Sequence, residues 1–206
     1  MSIELDHIFW MVAKADADRV TARFETLGLR ESYRRDHPGQ GTTNICYCFD
    51  NAFLEILWLE NEADARSPAI ARTLLADRGT GKANPFGLAW RGDAQLPMWA
   101  FMPTYLPDGV SIQMASASDD PSLPLMFTFS GFKPPIALPP DRHNGMQHAA
   151  GFTRLDLTAI GATETAPLEC MAAMMVPGFN IKAGKPFVQL KLSGPQREPI
   201  MLDLPF

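Results

Sequence analysis

Apolar and polar positions along the 206-residue chain alternate with period two in some stretches and recur every three to four residues in others, which predicts strands and helices in a definite order. Ile3-Glu4-Leu5-Asp6-His7-Ile8-Phe9-Trp10-Met11-Val12 reads as a strand over 3–12. A helix is expected near 15–27, capped by Asp16 or Asp18, with Val20, Phe24 and Leu27 at helical spacing and Gly28 as its stop. An extended stretch at 29–35, the loop His37-Pro38-Gly39-Gln40-Gly41, and strands 42–49 and 52–59 turning at Asp50-Asn51 complete a βαβββ order. Ala65, Ile70, Leu74 and Leu75 then predict a linker helix over 62–77, ended by Gly79-Thr80-Gly81 and Asn84-Pro85.

The same order recurs twice. In the middle it is degraded: strand 86–91, a Pro-interrupted stretch in place of the helix, a turn at Pro107-Asp108-Gly109 into the alternating run 110–114, and a closing strand within 123–129. A Pro-rich connection over 131–148 leads to a fuller copy, with strand 152–160, a helix near 164–175 bearing Leu168, Met171 and Met175, and a hairpin 186–192 and 199–204 turning at Ser193-Gly194-Pro195-Gln196. A period of about 50–60 residues makes the chain modular. The expected class is α+β: repeated βαβββ modules at 3–59, 86–130 (degraded) and 150–206, forming half-barrel mixed sheets with helices on the outer face, within one unit over 1–206.

Composition narrows the partners. Net charge −5 and a pI near 5.3 disfavour nucleic acid and anionic membrane surfaces, and the densest basic cluster, Arg34-Arg35, is short and followed by Asp36. The acidic opening Met1–Asp6 is unlike a secretory leader and its apolar stretch is too short to span a bilayer, so a cytoplasmic location is expected. Cys46 and Cys48 point the same way on one strand, and read as small buried hydrophobes rather than a redox pair. No Gly-x-Ser-x-Gly elbow occurs, and Gly39-Gln40-Gly41-Thr42 is no phosphate loop, so hydrolase and nucleotide chemistry have no support.

Candidate chemistry rests on His7 and Glu55. Strand parity puts His7 with Ile3, Leu5, Phe9 and Met11, and Glu55 with Phe53, Leu57 and Leu59. A carboxylate in such company needs a proton, a hydrogen bond or a cation. Facing one interior, the two residues make either half of a divalent-metal site or a His–Glu hydrogen bond that fixes the core. His37, His143 and His148 lie in predicted loops, where an imidazole is either solvated or available to complete a site.

Leu5-Asp6-His7-Ile8, then His37-Pro38-Gly39-Gln40-Gly41-Thr42-Thr43-Asn44, then Phe53-Leu54-Glu55-Ile56-Leu57 resemble the opening signature of the glyoxalase-like branch of the vicinal oxygen chelate superfamily (the glyoxalase/bleomycin resistance/dioxygenase fold). Leu123–Phe127 and Arg142-His143-Asn144-Gly145 resemble its later landmarks. The resemblance implies paired βαβββ modules curling around a cleft, and one divalent ion (Zn, Fe, Mn or Ni undistinguished) held by His7 and Glu55 with two further ligands from a second module. The middle module offers Gly87, Leu88 or Ala89 and no closing carboxylate, and the last offers Arg154, which cannot ligate a cation, and Asp203.

Two functions follow as expectations. One is a metal-dependent lyase, isomerase or dioxygenase acting on a small oxygenated molecule, with Glu55 and His37 catalytic and His7 and Glu55 on the metal. The other is a protein that binds or sequesters a small molecule through a degenerate site. In either, Asn44, Trp10 and His143 are expected to contact the ligand, and Trp58, Trp90, Phe53 and Tyr47 are candidate walls. A pocket is expected between the first and middle modules, with His37 at its rim. Whether a homodimer completes the cleft stays open.

Overall fold

Residues 3–174 and 180–206 are described by the computed structural model. Met175, expected on the last helical stripe, lies outside the described residues. In chain order, β1 (Glu4–Met11), α1 (Ala17–Thr26), β2 (Tyr33–His37), β3 (Thr42–Cys48) and β4 (Phe53–Leu59) realise the βαβββ order of the first module. Val20 and Phe24 bury the inner stripe of α1, and Gly28 leaves the helix at φ 85°, where a side chain would be strained. The linker follows as two short pieces, α2 (Glu62–Ala65) and α3 (Leu75–Gly79), with a 3-10 turn at Ala71–Thr73 between them. The single helix expected over 62–77 is therefore broken. Pro68 cannot continue it, and Leu74 adopts φ 57° just before α3.

The middle module consists of β5 (Phe86–Arg91), β6 (Met98–Phe101), β7 (Ile112–Ala115) and β8 (Leu125–Thr128). Strand β6 lies inside the stretch that looked merely Pro-interrupted. Only four residues long, it is too short to show an alternation of its own. The Pro-rich connection carries α4 (Pro140–His143) and α5 (Met146–Ala149). β9 (Arg154–Ala162), α6 (Ala166–Met174), β10 (Asn180–Ala183), β11 (Phe187–Gly194) and β12 (Arg197–Leu204) follow.

Two mixed sheets result. The larger has the order β2-β3-β4-β1-β5-β8-β7-β6 and the smaller β10-β9-β11-β12. In the larger sheet, β1 runs parallel to β4, β5 runs parallel to β8, and β1 meets β5 antiparallel. The first two modules are thus two four-stranded halves joined at β1/β5. One face carries Ile8, Trp10, Ile45, Tyr47, Leu54 and Ile56 into a core shared with α1, α6 and the smaller sheet. The other face curls around a cavity, with Phe9, Leu57, Ala89, Ile112, Leu125 and Phe127 as its apolar lining and support.

β1 does not keep one parity. Its pairing with β5 steps from Leu5↔Trp90 to His7↔Ala89, leaving Asp6 as an extra residue in a β-bulge. His7 therefore shares the cavity face with Phe9 and Met11, whereas Ile3 and Leu5 turn to the opposite core with Ile8. The expectation that His7 shares a face with Ile3 and Leu5 fails at this bulge.

Arg78 is a buried clasp between segments. Its guanidinium donates to the carbonyls of Thr73 (3.2 Å), Asn84 (2.7 Å), Leu123 (2.8 Å) and Ser118 (3.2 Å). Burial lowers its pKa to about 10, which leaves it cationic at neutral pH. Truncation would strand several buried carbonyls, each costing about 1–3 kcal/mol when unsatisfied. Arg78→Met is expected to lower unfolding free energy by roughly 3 kcal/mol or more in urea titrations. A loss below about 1 kcal/mol would show that water replaces the clasp.

Candidate functional site

The cavity has a volume of about 610 Å³ and is walled by both halves of the larger sheet. Its polar floor comes from β1, β3 and β4, where Asp6, His7, Asn44 and Glu55 are all buried. Phe101, Ile112, Met114, Leu125 and Phe127 from the other half supply the apolar wall. Loop residues Tyr105, Leu106, Phe132, Leu138 and Pro139 close over it.

The floor is a directed chain of hydrogen bonds. Arg91 donates through Nη1 to Oδ2 of Asp6 at 2.7 Å, and Nδ1 of His7 lies 2.7 Å from Oδ1 of the same carboxylate. A carboxylate offers only acceptors, so Nδ1 carries the hydrogen and Nε2 presents its lone pair to the cavity. Nε2 of His7 stands 3.7 Å from Oε2 of Glu55. Asn44 donates Nδ2 to Oε1 of Glu55 at 2.5 Å and accepts the backbone N–H of Arg35 on Oδ1 at 3.0 Å, which fixes the amide's orientation. His7 also stacks on Phe53 (ring centroids 4.2 Å apart, 17° between planes) and meets Phe127 and Phe132 edge-on. The imidazole is thus locked in position by a hydrogen bond to Asp6 on one side and aromatic rings on the others.

Around and behind this floor, burial moves the phenols and thiols still further from ionisation. It raises the Tyr33 and Tyr105 phenols and the Cys46 thiol well above their ordinary ranges, and the Cys48 thiol to about 12. The two thiols are therefore neutral hydrophobes. Burial also lowers the His37 imidazole, against a smaller opposing effect from Glu55. His37 closes β2 rather than lying in the following loop, and lines the cavity with its Nδ1 3.0 Å from Oγ1 of Thr42. Oγ1 of Thr42 already accepts from Gln40 Nε2, so its one hydrogen suits Nδ1 of His37, the pairing that leaves His37 its proton on Nε2.

The expected contacts divide. His7, Glu55, Asn44, His37 and Phe53 meet in the cavity. Trp10 does not. It faces the shared core, stacked on Phe86 and edge-on to Phe206, because plain alternation from His7 puts it on the opposite face. Trp58, Trp90 and Tyr47 lie on that side as well. His143 also stands elsewhere, beside Asp50 and His148, although its neighbours Asp141 and Arg142 line the cavity. Tyr33, Arg35, Gln40 and Tyr105 escaped the sequence reading. Alternation over Tyr33-Arg34-Arg35-Asp36-His37 was the available signal, masked because polar residues on both faces hide a strand.

A catalytic ion of the zinc type takes three protein ligands. The floor supplies His7 Nε2 and the Glu55 carboxylate, while the corresponding strands of the second half present Ala89 and Phe127. Among the described residues no third His, Cys or carboxylate donor joins that pair; the one group of three is Asp50, His143 and His148. The His7–Glu55 pair does not by itself fit a resident ion.

Residues 5–105 match the family described as glyoxalase-like domain. No curated protein matches the sequence. Among solved structures, a hypothetical protein from Staphylococcus aureus is similar at 12% identity over 98% of this chain and 85% of that one, with a TM-score of 0.48. A variant of Streptomyces coelicolor methylmalonyl-CoA epimerase in complex with 2-nitronate-propionyl-CoA is similar at 16% identity over 65% and 99%, TM-score 0.40. The Mycobacterium tuberculosis methylmalonyl-CoA epimerase is similar at 16% identity over 61% and 86%, TM-score 0.39. Among the described residues no helix is long and apolar enough to cross a membrane.

Because the folded state holds His37 below its ordinary pKa of about 6.5, the unfolded chain binds the extra proton first. His37 therefore makes stability fall as pH drops from about 6.5 towards its lowered value, and leaves stability intact above that window. His37→Asn is expected to flatten this part of the profile of thermal midpoint against pH. An unchanged slope would mean that His37 protonates in place without cost.

Proposed function

We propose that this chain, which carries a glyoxalase-like domain of the vicinal oxygen chelate superfamily over residues 5–105, binds a small oxygenated anion in its cavity and moves a proton on it. The observation that carries this reading is the Asp6–His7–Glu55 chain, ending 3.7 Å from Nε2 to carboxylate on the floor of a mostly apolar cavity. A buried acid–base pair with an orienting carboxylate behind it is what proton abstraction next to a carbonyl requires.

In this reading Glu55 takes the proton from an acidic C–H or O–H of the ligand. Asn44 keeps the other carboxylate oxygen occupied, so Oε2 is the oxygen that acts. His7 receives the proton next on Nε2, and Asp6 stabilises the imidazolium that forms. His37, neutral near pH 7 because burial lowers its pKa, donates its Nε2–H to the oxyanion left on the ligand. The anionic end of the ligand is matched by Arg35, Lys133 and Arg142, which line the cavity and have no carboxylate within ion-pair distance among the described residues. Since one chain walls the cavity on both sides, the reading needs no second copy to complete it.

Binding without turnover is the second reading. The aromatic setting of His7, with Phe53 stacked and Phe127 and Phe132 at its edges, favours it, since such a box holds a planar ligand without reacting with it.

Exchange of ligand C–H for deuterium in heavy water, followed by proton NMR, separates the two. Small 2-oxo acids, dicarbonyls, catechols and aromatic acids are the panel. At least one acid that raises the thermal midpoint is expected to exchange, and Glu55→Gln is expected to slow that exchange by about 100-fold or more while preserving the thermal shift. Thermal shifts without exchange on any compound would leave the binding reading standing. Loss of no hit and no rate in Glu55→Gln would place the site outside this cavity.

A further inference from the structure

Outside the cavity, Asp50, His143 and His148 gather three ligand-type atoms within 4.8 Å of one another. Asp50 lies in the turn between β3 and β4 and is held by its backbone on two sides. Its N–H donates to the carbonyl of Thr153 (2.8 Å) and its carbonyl accepts from Ile136 (3.1 Å). Its Oδ1 stands 2.8 Å from Nε2 of His148 and 3.2 Å from Nε2 of His143. The second contact is misaligned for a hydrogen bond, so the buried Nε2 of His143 has no hydrogen-bond partner. A buried imidazole nitrogen aimed past a carboxylate is a donor atom without its acceptor.

The backbone between the two histidines is built for their convergence. On one continuous helix, residues five apart would point about 140° away from each other. Here Asn144 and Gly145 both adopt the left-handed conformation, at φ 47° and 67°, between α4 and α5. That reversal brings the two rings to 5.7 Å, edge to face, on the side of Asp50. Two imidazole nitrogens and one carboxylate oxygen suit a borderline divalent transition metal, whereas Mg²⁺ and Ca²⁺ prefer all-oxygen shells. Ligand separations near 3 Å follow from metal–ligand bonds of about 2.0–2.1 Å. His148 is 41% exposed, which leaves a solvent-facing position for water.

We propose that Asp50, His143 and His148 form a site for a divalent transition-metal ion of the zinc class, fastening the 134–149 strap to the β3–β4 turn. The strap contributes Leu138, Pro139, Asp141 and Arg142 to the cavity wall, so the ion secures one side of the cavity. Each imidazole offers the metal its Nε2 lone pair. The hydrogen that His148 shares with Asp50 therefore moves to Nδ1 or to solvent as the ion enters.

Zinc titration of the metal-free full chain against a chromophoric chelator, with cobalt absorption as a check on geometry, tests the site. One ion per chain is expected. His143→Gln and His148→Gln should each weaken zinc binding by tenfold or more, and the double variant should lose it. Glu55→Gln should bind zinc as the wild type does. Zinc should also raise the thermal midpoint and slow proteolysis within 134–149 in the wild type but not in His148→Gln, a half-exposed position whose substitution spares the core. Stoichiometric binding by the double variant, loss of binding in Glu55→Gln, or no binding by the wild type would each overturn the proposal.

Discussion

Strand β1 meets β5 antiparallel, with one residue too many at Asp6, and the cavity floor depends on that mismatch. Without the extra residue, side chains of alternating parity would put His7 in line with Leu5 and Ile3, facing one continuous apolar layer. With it, Asp6 and His7 both reach the cavity, and the carboxylate falls 2.7 Å from Nδ1. The bulge thus converts a core strand into one that delivers an imidazole hydrogen-bonded to a carboxylate. Arg91 on the facing strand completes the arrangement, since Asp6 is almost fully buried and would otherwise be an uncompensated charge.

Close packing then excludes alternatives. Gly87 lies opposite Phe9, and a Cβ there would come within 1.9 Å of the ring. A side chain at this position would drive Phe9 into the cavity. The second half therefore meets the first with small residues, Gly87 and Ala89, where the first half carries His7 and Phe9. That asymmetry leaves space above His7 and Glu55, and for the same reason denies the pair two further ligands. Polar chemistry is concentrated in one half, and shape is supplied by the other.

The phenols and thiols around the floor are neutral at physiological pH by their own chemistry, and burial deepens that neutrality. Desolvation pushes Tyr33, Tyr105, Cys46 and Cys48, which already ionise only in the alkaline range, further up still. Charge is confined to the floor and the rim. Gln147 secures the rim's strap from below, accepting the Arg30 N–H at 3.0 Å and donating to the Arg30 carbonyl at 2.6 Å. The strap is thereby tied to the chain between α1 and β2 whether or not an ion joins His143 and His148 to Asp50.

Local pattern by itself determined the order of elements in the first module and the strand, helix and hairpin of the last. Most of these elements bury one face and so write their period into the residues, whereas the short strand β10 was not foreseen. It also singled out His7 and Glu55, since an ionisable group amid apolar neighbours needs a partner. Asn44 was legible as their companion on an adjacent strand, and His37 as a residue at the rim, although its place at the end of β2 and not in the loop was not. Only the tertiary structure decided the rest. The bulge at Asp6 depends on pairing with a strand some 80 residues away (Leu5 with Trp90), which no local period encodes. Trp10, by contrast, falls opposite His7 by plain alternation, so its expected place at the ligand ran against the local period. Strand β6 is held by β7 and has no pattern of its own. His143 left the expected cavity for Asp50 because two left-handed residues reverse the chain beside it, and a reversal is a property of backbone angles that residue identity permits but does not impose.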